Sequence, residues 1–164
     1  MRRTLDTEPK HKNMKGKKIW IILVALIVIM QLIPSGRPDV VKENKDDLLV
    51  NNAIPDSVAY FLRTACYDCH SNESVYLWYS YVAPVSWLVA RDVRLGKEEM
   101  NFSTWESNDK MKKAKLLDDI VDEVSDGGMP MVIYPLMHPE AKLKKADRQL
   151  LVDWAEAHAE SLFE

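Results

Sequence analysis

The chain has two cysteines in 164 residues, and both stand in one pentapeptide, Cys66-Tyr67-Asp68-Cys69-His70. A C-x-x-C pair followed at once by histidine restricts the surrounding chain more than any other feature here. On a helix the two thiols lie one turn apart on the same side, with the imidazole next to the second. That is the pattern for attachment of a c-type haem. Each thiol bonds one vinyl group of a single porphyrin, and the histidine reaches the iron as its proximal ligand.

Three other uses of C-x-x-C compete with this reading. A thioredoxin-like redox pair wants a βαβ context, and no strand–helix–strand pattern follows His70. A structural zinc site needs about four ligands, whereas the later chain offers His138 and His158 and no further cysteine. A disulfide within so short a loop would close little chain and stabilise little.

The charge is unevenly spread. Residues 1–18 carry seven Lys/Arg against Asp6 and Glu8, a net of +5; with −3 overall, the remainder carries −8. A basic head could suggest nucleic acid. This one directly precedes the apolar run Ile19–Ile33, IWIILVALIVIMQLI, which points to membrane topology and away from a nucleic-acid partner. The uncharged stretch extends through Gly36, eighteen residues from Ile19, at the short end of the about 17–25 residues a membrane span takes. A cleaved signal peptide is the rival reading, but the run ends in Leu-Ile-Pro-Ser-Gly without a clean small-x-small site. The expectation is an uncleaved signal anchor. It places residues 1–18 in the cytoplasm, a transmembrane helix over 19–36, and the rest on the outer, periplasmic side of the cytoplasmic membrane. Residues 37–53 are polar, without sustained period, and read as a linker.

The domain from 54 to 164 reads as all-α. Pro55-Asp56-Ser57 marks a helix start, and Val58, Phe61, Leu62 and Ala65 form an i, i+3, i+4, i+7 stripe leading into Cys66. After the polar turn Ser71–Ser74 come Tyr76, Trp78, Tyr79 and Tyr81, read partly as core and partly as a wall around the haem. A second helix is predicted from Pro84 to about Leu95. Val85, Leu88, Val89 and Val93 form its buried face, Trp87 lies off that face, and Gly96 is its C′ residue. Asn101–Trp105 is a loop with two aromatic anchors. A third helix covers 108–126, with Leu117, Ile120, Val121 and Val124 inward. It stops at Gly127-Gly128. Residues 134–140 are expected to be irregular, held so by Pro135 and Pro139. The last helix runs from about Lys145 to Ser161, with Leu150, Leu151 and Trp154 inward, a frayed start at Lys144 for want of a capping side chain, and His158 at the surface.

Met129-Pro130 follows the two glycines. A methionine set by a glycine C-cap and stiffened by proline can project its thioether from a loop, as a distal haem ligand must. Methionine is also a common gap-filler, and Met131, Met137 and His138 stand nearby as alternatives.

The order of helix, C-x-x-C-H, aromatic loop, helices, Gly-Gly-Met-Pro and terminal helix resembles a class I cytochrome c. The runs CYDCHSNESVYLWYSYVAPVSWLVARDVRLGKEEMNFSTW and GGMPMVIYPLMHPEAKLKKADRQLLVDWAE resemble more closely the bacterial haem-binding domain family, over roughly Ile54 to Glu160. That resemblance implies a cytochrome c-like helical domain around one covalently bound haem c, tethered to the membrane. Cys66 and Cys69 would carry the thioether bonds, with His70 as proximal and Met129 as distal iron ligand. The task it implies is electron transfer rather than enzymatic catalysis, with a redox partner whose basic face suits the acidic domain. A haem-based ligand sensor or weak peroxidase with a labile distal ligand is the alternative.

Overall fold

The computed structural model describes residues 14–164, with side chains from residue 16 onward; most of the basic head expected over 1–18 lies outside the described residues. The chain divides into two units, one ending at Pro34 and one spanning Ser35–Glu164. In the first, α1 covers Met14–Gln31, and its large apolar side chains from Ile19 to Ile29 are exposed. The expected span of 19–36 is helical only as far as Gln31. No helix among the described residues is long and apolar enough to cross a membrane.

The second unit holds seven further α-helices and three 3-10 turns, with no strand among the described residues. They are α2 (Leu48–Asn51), α3 (Asp56–Ala65), α4 (Tyr67–His70), α5 (Val85–Glu99), α6 (Lys110–Ser125), α7 (Tyr134–Met137) and α8 (Lys145–Ser161). α6 lies along α8, and α3 packs against α8 as well. The shared core joins Val58 and Leu62 of α3, Leu117 and Ile120 of α6, and Leu151 and Trp154 of α8 around Phe102 and Trp105. Each buried leucine there contributes about 2 kcal/mol through removal from water. The stripes expected on α3 and α6 face inward, with Leu116 added and Val121 at the margin.

The stretch read as a linker, 37–53, belongs to the domain. Leu48 is fully buried, and Asp47 caps α2 by accepting the Leu49 amide at 2.8 Å. The Arg37 guanidinium donates to the Ser80 carbonyl at 2.6 Å and lies 3.7 Å from the Tyr81 ring centroid. Val41 donates its amide to the Asn72 carbonyl at 2.7 Å. A polar stretch without period looks free in sequence because its ties are hydrogen bonds to distant loops, which leave no periodic trace.

Other expectations shift in detail. α5 continues to Glu99, with Gly96 inside it. Its buried face is Ser86, Ala90 and Val93, whereas Val85 and Leu88 are exposed. Small residues line that face because α5 runs close over the attachment motif. In the aromatic stretch Trp78 is 72% exposed and Tyr81 61%, so it is not core. On α8, Val152 is buried and Leu150 is exposed. Its start is held by the Asp147 carboxylate, which accepts the Lys144 amide at 2.8 Å, in place of the missing capping side chain. Residues 134–140 form α7 and a 3-10 turn, Pro139–Ala141, because a proline at the start of each presets helical φ. His158 is half-buried and stacks on Trp154 at 5.6 Å and Trp105 at 6.4 Å.

Candidate functional site

Cys66 breaks the helix that delivers it. Its φ/ψ of −125°/−44° ends α3 and starts the one-turn helix α4. The Cys66 carbonyl accepts from the amides of Cys69 at 3.1 Å and His70 at 2.9 Å. That single turn holds the two thiols and the imidazole in one register.

The His70 ring is fixed by its own hydrogen bond. Nδ1 lies 3.2 Å from the Met100 carbonyl. A carbonyl only accepts, so Nδ1 carries the proton and Nε2, on the opposite edge, is the lone-pair nitrogen presented to a metal. Burial holds the His70 pKa below the ordinary imidazole value, against the opposing pull of the Met100 and Gly96 carbonyls and Glu99. A ligand needs this neutral form. The Phe102 ring, 6.3 Å away and edge-on, backs the imidazole.

Burial, and then the neighbouring Cys69, pushes the Cys66 thiol up to about 12. Cys69 rises to about 11, through burial first and then Asp68 and Asp92. A thiol–disulfide centre depends on a lowered thiol pKa, and the shifts at both cysteines run the other way. Among the described residues no group of three or more His, Cys, Asp or Glu is placed to hold a metal ion by side chains alone, which likewise weakens the zinc reading.

The two residues between the cysteines are anchored to different segments of the domain. Tyr67 is buried, stacks on Phe102 at 5.0 Å and donates its hydroxyl to Asp47 Oδ1 at 2.9 Å. Burial, then Asp47, raises the Tyr67 pKa. Asp68 accepts the Val75 amide on Oδ1 and the Tyr134 hydroxyl on Oδ2, both at 2.8 Å. Sequence reading missed these roles because the motif treats both positions as arbitrary. The one available signal for Asp47 was an aspartate just before a short apolar run.

α5 crosses the motif at Gly96. A Cβ there would sit 2.7 Å from the Cys69 carbonyl oxygen and 3.1 Å from the Cys69 Cβ. The glycine read as a helix stop is therefore a point of close approach between α5 and α4, where a side chain would clash.

Met129 is half-buried in the loop after α6. Gly127, with φ +79°, supplies the left-handed residue that ends the helix. The Met129 amide donates to the Glu123 carbonyl at 3.0 Å, and Arg148 Nη1 donates to the carbonyls of Val124 at 2.8 Å and Met129 at 2.7 Å. Met137 is exposed. His138 is buried with both ring nitrogens engaged: Nδ1 faces the Glu140 carboxylate at 3.4 Å, which only accepts, so the Nδ1-protonated tautomer leaves Nε2 to accept from the Tyr79 hydroxyl at 2.6 Å. Of the alternatives to Met129, His138 is thus the one already committed to other partners.

The donor set fits a covalently held haem: two thiols on one turn and a neutral imidazole with its tautomer fixed. The Tyr134–Asp68 bond also brings an apolar loop to the motif, with Val132 86% and Leu136 75% exposed. Such side chains suit the faces of a large flat apolar group better than they suit water.

No curated protein and no solved structure matches the chain. The family model described as a haem-binding domain matches residues 25–157, beginning within α1 and so reaching further toward the N-terminus than the sequence motifs alone. The chain belongs to the haem-binding domain family.

Proposed function

We propose that this is a membrane-anchored monohaem electron-transfer protein on the outer face of the cytoplasmic membrane. A covalently attached haem c would supply one-electron chemistry. Cys66 and Cys69 hold it through thioether bonds, the Nε2 of His70 takes the proximal position and the thioether of Met129 the distal one. With His70 and Met129 both given to the iron, substrate would have no place at the metal, and the protein would act as a carrier rather than an enzyme. The observation that carries the reading is the His70 Nδ1–Met100 carbonyl bond at 3.2 Å beside the two motif thiols. It fixes the tautomer that an imidazole ligand requires.

The anchor is supported by the exposed apolar side chains of α1 with lysines at its start, a surface that water does not favour. Lysine side chains at such an end can snorkel to the headgroups. The domain beyond it is acidic, which suits brief, salt-sensitive docking on a basic redox partner.

The test is a pyridine haemochrome spectrum of the full chain produced with c-type maturation. A c-type spectrum is expected, with haem retained on a denaturing gel and lost in the Cys66→Ala/Cys69→Ala variant. A chain that emerges without covalent haem refutes the proposal. Replacement of Met129 by alanine should convert the low-spin ferric spectrum to high-spin; an unchanged spectrum removes Met129 as the ligand.

A further inference from the structure

Residues 129–138 carry Met129, Met131, Met137 and His138, the four side chains named above for the distal position. The segment is held at three places. At its start Arg148 grips the carbonyls of Val124 and Met129 at 2.8 and 2.7 Å. At its end the buried His138 accepts from the Tyr79 hydroxyl at 2.6 Å. In the middle the Tyr134 hydroxyl donates to Asp68 Oδ2 at 2.8 Å, while the Tyr134 ring stacks on His138 at 4.1 Å with 11° between planes.

Of these three ties, the middle one reaches the attachment motif itself, because Asp68 lies between Cys66 and Cys69. Beyond the buried Pro130 near its start, apolar packing gives the segment little further support, since Val132, Ile133, Leu136 and Met137 are all exposed. Arg148 and Tyr79 fix the two ends to α8 and to the 78–81 turn. Neither fixes the distance from the segment to His70.

We propose that the Tyr134–Asp68 hydrogen bond is the latch that keeps the 129–138 segment closed over the haem, which makes Tyr134 a positioning residue for the distal ligand and a regulator of ligand access to the iron. The inference rests on the reading that this segment supplies the distal ligand. The bond joins a neutral donor to a carboxylate, the stronger class of hydrogen bond. Its loss shifts the balance between closed and open segment by roughly ten- to hundredfold. An exogenous ligand enters only when the protein ligand has left, so its binding rate follows that balance.

The experiment uses the full, haem-loaded chain and carbon monoxide added to the ferrous form. Tyr134→Phe keeps the ring and its stack on His138 and removes only the hydroxyl. It is expected to bind carbon monoxide roughly ten- to hundredfold faster than wild type. Tyr79→Phe removes a tie at the end of the same segment that does not touch the motif, and is expected to change the rate by less than about threefold. Equal acceleration in both variants means general loosening and overturns the latch. Should Tyr134→Phe not accumulate in loaded form, Asp68→Ser removes the same bond from the other side together with the acceptor of the Val75 amide, and is expected to show at least the same acceleration. Unchanged rates with a six-coordinate wild-type spectrum overturn the latch alone. A five-coordinate wild-type spectrum overturns the ligation reading, and the latch with it.

Discussion

Replacing Gly96 by alanine sets two effects of opposite sign against each other. Gly96 lies inside α5, and alanine at an interior helical position is ordinarily better by about 1 kcal/mol. Here the added Cβ would meet the Cys69 carbonyl oxygen at 2.7 Å and the Cys69 carbonyl carbon at 3.1 Å. Both are backbone atoms, which no rotamer change moves aside. The contact must open by several tenths of an ångström, by displacing α5 or by tilting α4. Overpacking of this kind costs about 1–3 kcal/mol. With the propensity gain subtracted, a net loss of about 0–2 kcal/mol remains, and for a domain of this size it lowers the melting temperature by up to roughly 8 °C. His70 follows Cys69 and bonds Met100 at the end of α5, so the haem spectrum is expected to change as well. Thermal unfolding of the loaded protein with its absorption spectrum measures both. Gly127→Ala is the control. With φ +79° and no atom within 4 Å of its Cβ, that residue pays the left-handed backbone cost of about 1 kcal/mol without any steric clash, so its stability loss isolates the backbone contribution. A Gly96→Ala protein more stable than wild type, with an unaltered spectrum, refutes the close-approach argument.

Asp47→Ala removes the α2 cap and leaves the buried Tyr67 hydroxyl without its acceptor. About 1 kcal/mol for the cap and about 2 kcal/mol for the stranded hydroxyl predict a loss near 3 kcal/mol in denaturant unfolding. Tyr67→Phe, which strands no donor, is expected to lose clearly less; the reverse ranking contradicts the assignment. Burial first, and then Lys113, lowers the His158 pKa, and its Nε2 is buried without a partner among the described residues. The native state therefore disfavours protonation, and the unfolded chain binds the proton more readily. Stability should fall as pH drops below about 6.5. His158→Phe, which keeps an aromatic ring in the stack, should flatten melting temperature against pH across that range; an identical slope excludes His158 as the source.

Much of this architecture was legible in sequence wherever a period or a punctuating residue carried it. The stripes of α3 and α6 were read from 3.6-residue spacing, and the end of α6 from Gly127. The α5 face was misread because Val85 and Leu88 are more apolar than the Ser86 and Ala90 that actually pack. Hydrophobicity cannot signal a position chosen for small size. The 37–53 segment reads as free in sequence because Arg37 and Val41 are tied by hydrogen bonds to loops far along the chain, and Asp47 by its bonds to the Leu49 amide and the Tyr67 hydroxyl. In the site, Cys66, Cys69 and His70 were legible as a spacing. The Met100 carbonyl that orients His70 was not, since a backbone acceptor has no sequence identity.

The double anchoring of Tyr67 and Asp68 bears on how such a motif could be moved. Grafted into a foreign helix, the pentapeptide would bring its thiols and imidazole but leave a tyrosine hydroxyl and a carboxylate seeking partners. Here those partners come from Asp47, Val75 and Tyr134, in three separate stretches of chain. The transplantable unit is thus a set of segments distant in sequence. An engineer wanting a shorter cassette would do better to exchange Tyr67 and Asp68 for residues that ask nothing of the host.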